Sequence, residues 1–446
     1  MKRALSVLTL LCLLPPVYGQ TAYWIVKPSV YNEISYIAPN TYKVVKNGKI
    51  GLINGEGAVV AEATNDGLSG FFNNIALLTI SDNGKEKVTG TLNKNGLFYK
   101  FSNNAYTLYG QAFYSDGLLS VSLDNGSLGY VDEKGTIVLD FNDKYDRIKP
   151  FTEGHAAVFK NKKYSLIDKT GAATQLMFSG VGEVYGGTNA FNGIVYVWDT
   201  TGKFYIYDII AGGNCKKVKA PNDINAVDYL YRFSSITGMP KQPVFSAPSA
   251  PNDSDLDFPT VNESTEGKGY SYKGQTVLPV QFTAASPFLS GSAAVIKNGR
   301  CGLLGFVADD KFEVSTGTSQ IRYYASKTAK CSLNLHIPKV WESKELKMDI
   351  LREDGQLLQS CDAATSVTFE EALPITGDKT YKIQITGEGL LLLDTNVTQS
   401  YKVNEICTTC KQDKDKCPYK GKHPVTHSGN KNEEKKKNDT PVNDWY

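Results

Sequence analysis

Asn125-Gly126-Ser127-Leu128-Gly129-Tyr130-Val131-Asp132, followed by Gly135-Thr136-Ile137-Val138-Leu139, reads as a tight turn, a strand, a second turn and a further strand. Upstream, Phe113, Gly117 and Val121 mark the apolar run that the first turn folds back on. Asn-Gly suits a hairpin because both central positions of a type I′ turn need positive φ. A lone hairpin is marginal in water, so such a unit needs neighbours to cover its apolar face.

The unit recurs. Phe151, Gly154, Ala156 and Val158 precede Asn161-Lys162-Lys163-Tyr164-Ser165-Leu166-Ile167-Asp168 and Gly171. An earlier copy runs Asn47-Gly48-Lys49-Ile50-Gly51-Leu52-Ile53 with Gly57, and a decayed one keeps Gly84, Gly90 and Gly96. The turn glycines Gly57, Gly96, Gly135 and Gly171 stand 39, 39 and 36 residues apart, a period that dictates a stacked array. A weaker unit surrounds Tyr196 to Gly202, and Gly274 to Leu304 restores the pattern with Phe288, Gly291, Ala293, Val295 and Asn298-Gly299-Arg300-Cys301-Gly302.

These residues resemble the WG-repeat family over about 41–305, most clearly at Phe151-Thr152-Glu153-Gly154-His155-Ala156-Ala157-Val158 and Phe288-Leu289-Ser290-Gly291-Ser292-Ala293-Ala294-Val295. The chain departs at the signature dipeptide, where Ile50-Gly51, Leu128-Gly129, Tyr164-Ser165 and Cys301-Gly302 carry no tryptophan. The resemblance implies an exported or surface-associated scaffold with no shared catalytic residues. The expected fold is all-β: stacked β-hairpin repeats as an open solenoid or superhelix, with a propeller-like ring as the alternative.

Residues 205–270 interrupt the period with Pro240 to Pro251 and the acids Asp253, Asp255 and Asp257. Phe258 and Ser264 stand where a calcium loop needs glycine and glutamate, so no calcium is assigned. From 311 to 404, short alternating strands are expected at Gln320 to Ala325, Cys331 to His336, Glu345 to Leu351, Ser366 to Phe369, Lys379 to Thr386 and Leu390 to Asp394, as in a β-sandwich. The lysine-rich stretch 428–446 has almost nothing apolar and reads as a disordered tail.

Met1 to Gly19 carry a basic start, an eleven-residue apolar run from Ala4 to Leu14, and the small-residue pattern Val17-Tyr18-Gly19. That is a secretory signal peptide, so the chain is expected in the periplasm, on the cell surface or in the medium. A lipid anchor on Cys12 fits less well, because Leu11 stands where a lipobox wants a small residue. No stretch offers the roughly 18 apolar residues of a transmembrane helix. Lys and Arg (48) nearly balance Asp and Glu (46), which leaves no electrostatic footprint for nucleic acid.

One motif carries chemistry. Cys407-x2-Cys410-x6-Cys417-x5-His423 gathers three thiols and an imidazole, the donor set of tetrahedral structural zinc, in a hydrophilic segment too short to build a core. Cys417-Pro418-Tyr419-Lys420-Gly421-Lys422-His423-Pro424 also resembles a small knuckle of exported bacterial proteins, which implies zinc at 407–424. Disulfides are the alternative in an oxidising compartment, and an unoccupied redox Cys-x-x-Cys is a further one. Of eight cysteines Cys12 leaves with the leader, so complete pairing within one chain is excluded. If three bind zinc with His423, four remain: Cys331 and Cys361 are expected on neighbouring strands and could pair, while Cys215 and Cys301 could pair or stay free.

No Gly-x-Ser-x-Gly, His-Glu-x-x-His or phosphate-cradling loop occurs in a suitable setting. His155 and His336 read as packing or surface residues, and Glu153 and Asp168 as turn-fixing acids. The expectation is a non-catalytic binding or scaffold module for an extracytoplasmic protein or glycan. The alternatives are a glycan-active enzyme with its site in the repeat groove, or an envelope component that docks through its Cys-rich motif.

Overall fold

A computed structural model describes residues 21–173 apart from 103–105, 110–113, 143 and 153, the strand segments within 179–219, and 258–404 apart from 309, 317–318, 323–327 and 373–377. The chain is all-β: antiparallel sheets dominate, and the helical element among the described residues is the single 3-10 turn Lys339–Trp341. It divides into two compact units, one comprising 24–257 with 288–303, the other 1–23 with 258–287 and 304–446. The leader at 1–19, the acids Asp253, Asp255 and Asp257, Cys215, and the tail at 428–446 lie outside the described residues.

In the repeat unit each copy makes an antiparallel sheet. The first joins Glu33–Ala38, Thr41–Lys46, Lys49–Asn54 and Val59–Asn65 in sequence order. The next two copies, 67–100 and 106–140, merge through the pairing of Tyr106–Leu108 with Lys85–Asn93. The fourth joins Arg147–Ile148, His155–Lys160 and Lys163–Asp168. Strands Ile194–Trp198 and Phe204–Asp208 pair as a hairpin at the weaker unit.

The hairpin turns are left-handed at both central residues where Asn-Gly or its substitute stands: Asn47-Gly48, Asn83-Gly84, Asn161-Lys162 and Asn298-Gly299 all have φ between 51° and 76°. Asn125-Gly126 differs, since only Gly126 is left-handed and its amide bonds the Leu123 carbonyl, giving a longer loop. After each hairpin the second strand carries a fully buried pair: Leu52-Ile53, Thr91-Leu92, Tyr130-Val131 and Leu166-Ile167. Two consecutive buried residues mean that both sheet faces are covered, which is why these runs do not alternate.

The covering is successive. One core gathers Ile37, Leu52, Phe71 and Leu92 between the first and second sheets, the next Val88, Tyr106, Leu119 and Val131, and the third Leu118, Tyr130, Phe141, Phe151, Val158 and Ile167. A fourth packs Tyr42, Val44 and Ile53 of the first sheet with Leu303, so the first sheet has a neighbour on each face.

The glycine of the signature dipeptide has a steric role. A Cβ at Gly51 would lie 2.7 Å from the Ala61 carbonyl oxygen, one at Gly129 would meet the Leu139 carbonyl, and one at Gly302 would meet the Trp24 ring. In the first three copies an outer strand (Val59–Asn65, Phe98–Lys100 or Ile137–Asp140) passes over this position. The fourth copy has Ser165 here, and among the described residues its strand Lys163–Asp168 has no outer strand against that position.

In the second unit, Glu313–Thr316, Thr328–His336 and Ser366–Ala372 form one sheet, and Leu357–Asp362, Leu346–Arg352, Lys379–Gly387 and Leu390–Gln399 another. Their inner faces alternate cleanly, Val367, Phe369 and Glu371 opposing Tyr381, Ile383 and Ile385, and the Phe369 and Tyr381 rings meet edge to face at 5.0 Å. Five of the six expected strands lie in these two sheets, with Leu357–Asp362 added; of Gln320 to Ala325 the described part, within Ser319–Arg322, pairs in parallel with Tyr401–Asn404, and 323–325 lie outside the described residues. Strands Thr260–Ser264, Gly267–Tyr272 and Gln275–Phe282 form a further sheet in this unit. Gln281 bonds Leu391 reciprocally, its Nε2 donating to the carbonyl (2.8 Å) and its Oε1 accepting from the amide (2.9 Å).

The expected Cys331–Cys361 pair is corrected. Cys331 lies on Thr328–His336 and Cys361 on Leu357–Asp362, which belong to different sheets, and both are free thiols.

Candidate functional site

The repeats place two kinds of turn on one side of their strands. The first opens each copy: Pro39-Asn40, Asn73-Asn74, Asp116-Gly117, the turn through Gly154, and Ser290-Gly291, with left-handed φ at Asn40, Asn73, Asn74, Asp116, Gly117, Gly154, Ser290 and Gly291. Short bridges Phe72 to Ile75, Ser115 to Leu118, Thr152 to His155 and Leu289 to Ser292 close four of them. The second closes each copy at Gly57, Gly96, Gly135 and Gly171.

In every closing turn the residue three before the glycine caps two amides. Asn54 Oδ1 accepts from Glu56 and Ala58, Asn93 Oδ1 from Asn95 and Leu97, Asp132 Oδ1 from Lys134 and Thr136, and Asp168 Oδ1 from Thr170 and Ala172, at 2.7–3.2 Å. The Thr170 hydroxyl adds a bond to Asp168, and with those two amides it holds the carboxyl below its ordinary range.

Opening and closing turns are cross-linked. The Thr41 hydroxyl bonds the Gly96 carbonyl (3.3 Å), the Lys94 amide bonds the Asn74 carbonyl (2.8 Å), and Lys169 Nζ bonds the Asp116 carbonyl (2.6 Å), while the Tyr106 hydroxyl, from a strand, bonds the Gly135 carbonyl (3.1 Å). The Asp116 carboxylate takes the Gly154 amide (2.5 Å). The result is a rim of backbone-rich turns whose repeat-phased acids are occupied by amides.

The opposite ends of the strands carry the hairpin tips. Near two of them a lysine is paired, Lys49 with Asp66 (2.5 Å) and Lys87 with Asp82 (2.6 Å). The fourth copy differs. Arg147, Phe159 and Tyr164 are register partners across three adjacent strands. The Arg147 guanidinium lies 5.1 Å from the Phe159 ring centroid, and the Phe159 and Tyr164 rings are 4.7 Å apart and tilted by 55°. Arg147 is exposed and both rings are half-buried. Lys160 pairs with Asp146 (3.1 Å), whereas Arg147, Lys162 and Lys163 have no carboxylate partner among the described residues. Sequence reading missed this row because register, not spacing, assembles it.

The sandwich holds a buried polar chain. Arg352 bonds Glu371 twice (Nη2 to Oε1 2.8 Å, Nε to Oε2 3.3 Å), the Tyr381 hydroxyl donates to Glu371 (3.3 Å) and meets the Tyr401 hydroxyl (2.6 Å), and Tyr401 meets the Cys331 thiol (2.9 Å). Burial pushes the Tyr381 phenol up to about 12 and raises Tyr401 further, with Cys331 and Tyr381 adding to the latter. Burial acts to raise Glu371, yet Arg352, the Ala372 amide and Tyr381 outweigh it and hold the carboxyl low. The chain braces two sheets.

Cys407, Cys410, Cys417 and His423 lie outside the described residues, as does Glu153. Among the described residues no cluster of three or more His, Cys, Asp or Glu is arranged to hold a metal ion. His336 Nε2 stands 2.9 Å from Asp310 at the surface, and His155 lies on a strand beside Asp168. No helix among the described residues is long and apolar enough to cross a membrane.

Residues 129–164 and 270–301 match the family model described as the WG containing repeat. Two segments are thus similar to WG repeats. Each match runs from one closing turn or strand through the next opening turn to the slot of the signature tryptophan, held here by Tyr164 and Cys301. No curated protein matches the chain. Among solved structures it is similar to the extracellular domain of the putative one component system BT4673 from B. thetaiotaomicron, at 10% identity over 85% of this chain and 57% of that one, with a TM-score of 0.21. It is also similar to that of the putative hybrid two component system BT3049 from the same organism (8% identity, 83% and 55% coverage, TM-score 0.19) and to the computationally designed Ika8 protein (13%, 84% and 97%, TM-score 0.22). The chain spans a little over half the length of the two bacterial domains.

Proposed function

We propose that this protein is an exported, non-catalytic binding module in which WG-like repeats present a rigid surface to an extracytoplasmic glycan or protein. The observation that carries the reading is the fate of the repeat-phased carboxylates. Asp116, Asp132 and Asp168 accept turn amides, so the positions from which a repeated array would offer acids to a substrate hold the scaffold together instead. Glycan hydrolysis needs two free carboxyls flanking the bond. The sandwich serves as a support, and its polar core is occupied internally.

Cys407, Cys410, Cys417 and His423 form the proposed zinc site. Three thiolates and one imidazole satisfy a closed tetrahedral ion, which leaves no position for substrate and makes the metal structural.

The test is to incubate the full-length protein with envelope glycans and envelope proteins and to follow both the bound fraction and newly released reducing ends. Saturable binding without product supports the module; turnover of any glycan overturns it.

A further inference from the structure

We propose that the row Arg147–Phe159–Tyr164, with Lys162 and Lys163 at the adjoining hairpin tip, binds a carboxylate-bearing polysaccharide. The inference rests on the binding-module reading and names the ligand class and the place. Three features of the fourth copy converge on it.

The first is the guanidinium. Arg147 is exposed, stacked over Phe159 and without a carboxylate partner among the described residues, so its planar fork is orientated but unoccupied. Such a fork recognises a carboxylate through two parallel hydrogen bonds, and stacking limits the freedom lost on binding.

The second is charge. Lys160 and Lys163 stand directly opposite each other, an arrangement that destabilises a strand pair, and Asp146 compensates only Lys160. With exposed Lys162 beside them, the tip is relieved by an external anion. The tip at Asn47-Gly48 has the same opposition, Lys46 facing Lys49 with Asp66 on Lys49 alone, but lacks the adjoining cation and rings, so the Arg147–Phe159–Tyr164 row is what sets the fourth copy apart.

The third is shape. The row crosses three strands spaced about 4.8 Å apart, so it extends roughly 10 Å. It offers half-exposed ring surface beside cations rather than a deep apolar socket. A socket suits a protruding peptide side chain; flat rings suit the apolar face of a pyranose, and the charges suit a carboxylate on each sugar.

The experiment titrates the full-length protein with polygalacturonate, neutral dextran and poly-glutamate, with reducing ends followed in parallel. Polygalacturonate is expected to bind, more weakly as salt rises. Arg147→Ala and Tyr164→Leu are expected to lose at least about tenfold in affinity, an effect near 1.4 kcal/mol, at unchanged melting temperature. Arg147→Lys keeps the charge without the fork and is expected to fall between, which keeps the test valid should the alanine variant misfold. Lys162→Gln with Lys163→Gln is expected to flatten the salt dependence. No binding of the uronate, undiminished binding by both Arg147 variants and Tyr164→Leu, or equally tight poly-glutamate overturns the inference. Binding of dextran alone overturns it while the module reading stands, and released reducing ends overturn the module reading instead.

Discussion

The Tyr42 hydroxyl and Ser292, 250 positions apart, are held together by contacts of 3.0 Å to the Ser292 carbonyl and 2.9 Å to its Oγ, with the Leu289 carbonyl 3.1 Å away. This buried phenol ties the opening turn at 289–292 to the first sheet. Tyr42→Phe keeps the ring and strands those acceptors, which is expected to cost about 1–2 kcal/mol in urea unfolding. Tyr145→Phe is the control: its buried hydroxyl has no hydrogen-bond partner among the described residues, so stability is expected to hold or rise. Equal losses in the two variants would show that the Tyr42 bonds contribute nothing.

At the signature dipeptide, Gly129→Ala is expected to destabilise by about 1–3 kcal/mol, because the new methyl meets the Leu139 carbonyl on the outer strand. Ser165→Ala, in the same slot of the fourth copy, is expected to change stability by less than about 0.5 kcal/mol. Thermal unfolding of both checks the steric account; a tolerated Gly129→Ala contradicts it.

The Glu371 carboxyl is held below its ordinary range, so its unfolded form binds a proton more readily than its folded one. The stability it contributes is therefore present above the unfolded pKa of about 4.3 and is lost as pH falls through the lower folded value. Unfolding midpoints between pH 7 and pH 3 are expected to drop for the wild type. Glu371→Gln is expected to remove part of that slope and to cost about 2 kcal/mol at pH 7, moderated because Arg352 is partly exposed. An unchanged slope would assign the acid sensitivity elsewhere.

Thiol reactivity and metal content are read together by native and denaturing mass spectrometry with alkylation. Half-buried Cys301 and Cys361 are expected to label in the folded protein, while buried Cys331, bonded to Tyr401, labels only on unfolding. One zinc, released on denaturation along with alkylatable Cys407, Cys410 and Cys417, is the expected outcome at the C-terminal motif. Oxidised cysteines there without metal would refute the zinc assignment.

Local chemistry made the hairpins legible, since Asn-Gly turns and closing-turn glycines announce themselves at short range. Two opening turns escaped. Pro39-Asn40 and Asn73-Asn74 use asparagine where other copies use glycine, and asparagine tolerates the left-handed region well enough to hide the period. The signal was present in the apolar frame, with Phe71 followed by Ala76 and Leu78 as Phe151 is followed by Ala156 and Val158. The Arg147 row and the Tyr401–Cys331 contact were not legible, because the one depends on strand register and the other joins residues 70 apart with no shared pattern. The cysteine pairing failed for the same reason, as adjacency along the chain does not say which sheet a strand enters.

The crowded glycine has a consequence for how such repeats age. The slot before it is filled by Ile50, Leu128, Tyr164 and Cys301, residues of very different size. The glycine is kept at 51, 90 and 129, where an outer strand passes over it, and is replaced at Ser165, where none is present among the described residues. A lineage of these repeats should therefore shed its most recognisable letter first and its smallest last. Ancestry among distant copies is better traced through the glycine and the capped turn three residues beyond it than through the aromatic that names the motif.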